Sequence, residues 1–259
     1  MTRKLFAAFA LLLLIATPAL AEKTGDLKIT FKLKGDAPER QKLDINKDVA
    51  FCGKFGLLDE RLIVNKENGG IANVIVYVYT SSRGGTKLPK MDPPKNTHTL
   101  ANENCRFEPH ILITQAGDTL KVTNPDTVGH NCNLSFLKND AQNFTIAAGQ
   151  EKSLLIELSE PAPIPVACNI HPWMQAKLVV LDHPFAAVSD ENGELVIKGL
   201  PAGDDVVFRA NHEAGTFRDE IYINGKKDEW KSNRFEVEIE EGENDLGVVE
   251  IPLDQFKLD

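Results

Sequence analysis

Polar and apolar residues alternate with a period of two in many short stretches of this chain, and helical periodicity is scarce. Gly25 to Lys34 places Leu27, Ile29, Phe31 and Leu33 on one face and charge on the other, the pattern of a half-buried first strand. The run Ile71 to Tyr79 is dense in branched and aromatic residues and predicts a central strand. Phe107 to Thr114 and Leu120 to Asn124, separated by Ala116-Gly117-Asp118, read as a hairpin leading into His130. Further strands are expected over 144–146, 153–158, 164–168 and 175–181. After Asp182, turns at Asp190 to Gly193 and at Pro201 to Asp204 separate short apolar runs, and Arg234 to Glu240 alternates throughout. The acidic run from Glu236 to Asp245 reads as the solvated face of an edge strand.

Two stretches break the pattern. Residues 35–70 and 81–106 are polar and rich in Gly and Pro, so they read as loop elaborations, with one short strand at Arg61 to Val64 and His98 as a solvated loop residue. The expectation is an all-β protein: a β-sandwich with loop insertions over 22–183, its first strands at 25–34 and 71–80, followed by a smaller β-sandwich over 184–259.

The first 21 residues have a different character. Arg3 and Lys4 precede an unbroken apolar run from Leu5 to Ala16, and Ala19-Leu20-Ala21 closes the segment, which reads as a secretory signal peptide cleaved before Glu22. The chain is therefore expected in the periplasm or outside the cell, with no membrane span. Loss of Arg3 and Lys4 takes the formal charge from −9 to −11. Such acidity argues against nucleic acid and favours a partner with a basic face.

The chemistry concentrates in Cys168-Asn169-Ile170-His171-Pro172-Trp173-Met174, which puts a thiolate, an imidazole and a thioether on one loop. With 4 Cys, 6 His and 3 Met in 259 residues, that spacing arises by chance roughly 0.001 times. A Cys, two His and a weak axial Met suit copper, and His130 is the candidate for the missing imidazole. Zinc also accepts Cys and His, but a thioether offers it little. His110, inside a predicted strand, reads as a packed or edge residue, and His183 and His212 are assigned no metal. Of the remaining thiols, Cys52 and Cys105 both lie in the elaborations and are expected to bridge, leaving Cys132 small and buried beside the site; Cys132 as the bridged partner is the alternative.

His130-Asn131 together with Cys168-x-x-His171-x-x-Met174 resembles the type 1 copper site of the cupredoxins, the loop being most similar to that of amicyanin. Phe107-x-Pro109-His110, Asn124-x-Asp126 and His183-Pro184-Phe185 extend the likeness. They resemble exported proteins labelled methylamine utilization or plastocyanin-like, in which a cupredoxin runs into a carboxypeptidase-regulatory-like or carbohydrate-binding-like sandwich. The resemblance implies one copper ion held by His130, Cys168, His171 and Met174. It implies that Asn131 hydrogen-bonds the thiolate and ties the two ligand loops. It also implies a solvent-facing edge of His171 with Pro172 and Trp173 as an apolar docking collar, Trp173 having packing as its other reading.

The leading function is that of a one-electron carrier between redox partners, not an enzyme. The alternatives are a carbohydrate- or surface-binding protein using Phe217, Tyr222 and Trp230 as a platform, or a copper storage or delivery protein.

Overall fold

The computed structural model describes residues 23–217 and 220–258; the expected signal peptide lies outside them. The chain is all-β. Two strands come first, β1 (Thr24–Lys34) and β2 (Ile75–Val78), with a short helix, α1 (Val49–Cys52), between them. Nine follow: β3 (Thr97–Glu103), β4 (Arg106–Glu108), β5 (Ile111–Gln115), β6 (Thr119–Thr123), β7 (His130–Leu134), β8 (Gln142–Ile146), β9 (Glu151–Leu155), β10 (Ile164–Ala167) and β11 (Gln175–Leu181). The last seven are β12 (Ala186–Val188), β13 (Glu194–Pro201), β14 (Asp205–Asn211), β15 (Ile221–Ile223), β16 (Lys226–Asp228), β17 (Arg234–Glu238) and β18 (Gly242–Pro252).

These strands form four sheets and two sandwiches. In one sandwich, β5-β11-β10-β7-β8 faces β4-β3-β6-β9 over a core that includes Leu100, Phe107, Leu120, Val122, Leu134 and Leu178. In the other, β13-β1-β18-β15-β16 faces β12-β2-β14-β17 over Leu27, Ile29, Phe31, Phe208, Phe217 and Trp230. The first is inserted into the second between β2 and β12, which pair with each other antiparallel, Tyr77 opposite Ala186.

This topology corrects the expected division of the chain. The strands at 25–34 and 71–80 belong to the host sandwich, where β1 runs parallel to β18 and antiparallel to β13. With them the host has nine strands, as many as the inserted sandwich, and is not the smaller unit. Period-two alternation predicts which face of β1 is buried, and it does bury Leu27, Ile29, Phe31 and Leu33. It carries no information about the partner strand.

The stretch around Gly117-Asp118 is likewise not a hairpin. Here β5 pairs with β11 while β6 pairs with β3 and β9, so the turn carries the chain from one sheet to the other. The Pro-rich elaboration at 81–106 contains β3, and His98 on it bonds Asp118 Oδ2 at 3.0 Å instead of lying free in a loop. At 61–64 the chain makes only an isolated bridge, Val64 to Ile71. The alternating run from Arg234 forms the edge strand β17, but Glu243 and Asp245 of the acidic stretch lie on β18, an inner strand.

Two strands are apolar on both faces because each lies between two cores. In β2, Val76 and Val78 enter the host core while Ile75 and Tyr77 face the inserted sandwich. In β11, Leu178 and Val180 enter the inserted core while Val179 and Leu181 face the host, and Ile111 completes the contact. Each such side chain contributes about 1.5–3 kcal/mol on burial, enough that the five together fix the two units against each other. Around this apolar contact, His110 Nε2–H donates to Glu213 at 2.7 Å, Lys177 lies 3.4 Å from the same carboxylate, and His183 Nε2–H donates to the Val78 carbonyl. His110 and His183 are thus packed at the junction.

Phe217, Tyr222 and Trp230 do not form the alternative sugar platform. Phe217 and Trp230 are buried in the host core, and Tyr222 lies beneath the Lys34 ammonium. No helix among the described residues is long and apolar enough to cross a membrane.

Candidate metal centre

β10 and β11 pair up to Ala167 opposite Gln175, so residues 168–174 form the loop that joins them. The loop closes on itself: Met174 N–H donates to the His171 carbonyl at 2.9 Å and Cys168 N–H to the Met174 carbonyl at 3.1 Å. β7 lies antiparallel beside β10, Asn133 opposite Ala167, which sets the start of β7 against this loop. That register brings His130 to Cys168 and His171.

The three side chains converge. One ligand atom each from His130, Cys168 and His171 lies within 4.8 Å of the others. His130 Nδ1 is 3.0 Å from His171 Nδ1, and His171 Nδ1 is 3.8 Å from Cys168 Sγ. Met174 is buried in the same core, at the end of the same loop. Both imidazoles are wholly inaccessible to solvent, and Cys168 and Met174 are 1% exposed.

Each ring is held from behind by a carboxylate. His130 Nε2–H donates to Asp126 at 2.8 Å, and Asp126 is itself fixed by the Asn104 and Cys105 amides, each at 2.8 Å. His171 Nε2–H donates to Asp48 at 2.8 Å. With both Nε2 atoms engaged by carboxylates, the two Nδ1 atoms turn toward each other and His171 Nδ1 toward the sulfur in a dry space. A proton on one ring or a metal ion among the three holds such groups this close, and donors bound about 2 Å from one ion stand about 3–4 Å apart. The donor set fits a soft metal ion.

The sulfur is prepared for that role. Asn131 N–H and His171 N–H donate to Cys168 Sγ at 3.2 and 3.4 Å. Burial raises the thiol pKa, but bonds from the two imidazoles and these amides outweigh it and bring it down to about 6. The Asn131 side chain ties the loops, its Oδ1 accepting the Asn169 N–H at 3.1 Å and its Nδ2 donating to Asn143 and to the Phe144 carbonyl. Cys132 is a free, buried thiol whose pKa burial pushes up to about 12, with the Cys168 charge adding to the rise.

The expected disulfide is present, joining Cys52 to Cys105. Cys105 also falls near Asp126 and His130 in a second cluster of ligand-type residues, but its sulfur is committed to the bridge. The expected open edge of His171 is not found: the segment carrying Asp48 and α1 lies over it. Pro172 is exposed and Trp173 half-buried. Trp173 packs 5.1 Å from the His171 ring and donates from Nε1 to the Cys105 carbonyl at 3.2 Å. A cavity of about 210 Å3 reaches Trp173 and Met174 from the junction side, walled by Glu60, Arg106, His110 and Glu213. Sequence reasoning missed Asp48, because a contact across 123 positions leaves no local signal.

No family model matches the chain, and no curated protein does. Among solved structures, a Cu(I) amicyanin mutant aligns over 34% of this chain and 94% of its own, at 20% identity and TM-score 0.30. Another reduced amicyanin mutant covers 32% and 81%, at 23% identity and TM-score 0.30. A copper-containing nitrite reductase from Thermus scotoductus SA-01 aligns over 39% of this chain and 24% of its own, at 16% identity and TM-score 0.29.

Proposed function

We propose that this chain is an exported, cupredoxin-like protein that binds one copper ion through His130, Cys168, His171 and Met174 and carries single electrons between redox partners. The observation that carries the reading is the meeting of two imidazole Nδ1 atoms and a low-pKa thiol at 3.0 and 3.8 Å, with their outer faces fixed by carboxylates. Copper bound there would supply a one-electron couple.

The chain's own residues supply rigidity. Asp126 and Asp48 orient the rings, the Asn131 and His171 amides hold the sulfur, and Asn131 Oδ1 locks the His130 strand to the Cys168 loop. A donor set fixed in this way changes little when the charge at its centre changes by one, which favours rapid electron exchange. Full burial of the donors leaves no position open to a substrate, which supports a carrier over an oxidase or reductase.

Electrons would enter and leave where the site comes nearest to solvent, at Pro172 and Trp173, and the acidity of the chain suits a partner with a basic face. The test is voltammetry of the copper-loaded protein. A reversible one-electron wave with one copper per chain supports the reading; tight binding of copper without reversible reduction would overturn it in favour of storage.

A further inference from the structure

The side chain that closes the centre comes from outside both ligand loops. Asp48 belongs to the 35–70 segment, and its carboxylate receives the His171 Nε2–H at 2.8 Å. Two features show that this carboxylate is directed at the ring. Asp48 is the N-cap of α1 yet makes no side-chain capping bond to it. Its backbone is left-handed, φ 43° and ψ 40°, a conformation that costs an L residue steric strain and persists where its surroundings require it.

The surroundings do require it. The Asp48 carbonyl accepts the Phe51 and Cys52 amides at 2.8 and 2.9 Å, and Cys52 is bridged to Cys105 in the inserted sandwich. Cys105 N–H donates to Asp126, the carboxylate behind His130. The grips on the two imidazoles are therefore fastened to the same disulfide.

We propose that Asp48 is a positioning residue of the copper centre: it holds the His171 ring, raises the basicity of Nδ1 and so favours Cu(II) over Cu(I), while covering the imidazole edge against direct docking. The proposal rests on the copper reading above. The physical basis is general. A carboxylate on the far nitrogen of a metal-binding imidazole fixes its tautomer and strengthens it as a donor, and losing such a partner costs 10–100-fold in metal affinity. A stronger, more negative donor set stabilises the more highly charged ion. The Asp48 side chain is 43% exposed, so solvent screens part of its charge, but polarisation through the hydrogen bond persists.

The test compares reduction potentials of copper-loaded wild type, Asp48→Asn and Asp48→Gly. Asn keeps the shape and removes the charge; Gly suits the left-handed backbone and removes the side chain without unfolding the turn. A tenfold loss of Cu(II) affinity at constant Cu(I) affinity raises the potential by 59 mV, and both variants are expected to rise by about this much or more. A purely structural role would lower the stability of the copper-free variants and leave the potential in place. Potentials unchanged or lowered in both variants, with the visible thiolate-to-copper band intact, would overturn the role of Asp48 and leave the copper reading standing. A wild-type protein without that band would overturn both.

Discussion

The Nδ1 atoms of His130 and His171 stand 3.0 Å apart although 41 positions of chain separate them. The antiparallel register of β7 and β10 brings the backbones together, and two carboxylates turn both rings inward.

Met174 is buried at the end of the ligand loop and ties it through two backbone bonds. Met174→Leu conserves volume, so the copper-free protein should lose less than about 1.5 kcal/mol in urea unfolding. If the thioether is the weak axial donor, removing it leaves the oxidised form less stabilised. The potential should rise while the visible band remains. An unmoved potential would make Met174 a packing residue only.

The Cys52–Cys105 bridge spans 53 positions. Loop-closure entropy predicts that Cys52→Ala with Cys105→Ala lowers stability by about 4 kcal/mol, measurable by guanidinium unfolding at neutral pH. Both sulfurs are fully buried, so a loss under about 1 kcal/mol would contradict the view that the bridge anchors the 35–70 segment.

His212 sits in the host core between Phe217 and Phe256, and its Nδ1 accepts the Ala214 N–H at 3.3 Å. Burial pushes its pKa down from 6.5 to about 4, against the pull of Glu213. Between those values the unfolded chain holds a proton that the folded chain does not, so stability falls as pH drops from 6.5 to 4 and this contribution levels off below 4. The loss amounts to about 3 kcal/mol at 1.36 kcal/mol per pH unit. Urea unfolding across this range should give a visibly shallower slope for His212→Gln; equal slopes would refute the assignment.

The candidate ligands could be picked out of the sequence because three of them share one loop whose spacing is rare, and His130 stands at the head of a strand. The alternating strands were legible too, and Leu27, Ile29, Phe31 and Leu33 bury as their pattern requires. Partner choice was not. Nothing local in β1 says that it lies beside β18, some 200 positions on, and Gly117-Asp118 signals a turn without naming the sheet the chain turns into. β3 was hidden for another reason: Thr97 to Glu103 is mostly polar and buries only Leu100 and Asn102. Asp48 was invisible because a lone acid in a polar loop differs from its neighbours only through what the fold places beside it.

The most direct test of the central claim is the absorption spectrum of the copper-loaded protein beside that of Cys168→Ser. An intense visible thiolate-to-copper band in the wild type, lost in a Cys168→Ser variant that stays folded, is the predicted result. A colourless wild type, or a band that survives the substitution, would contradict it.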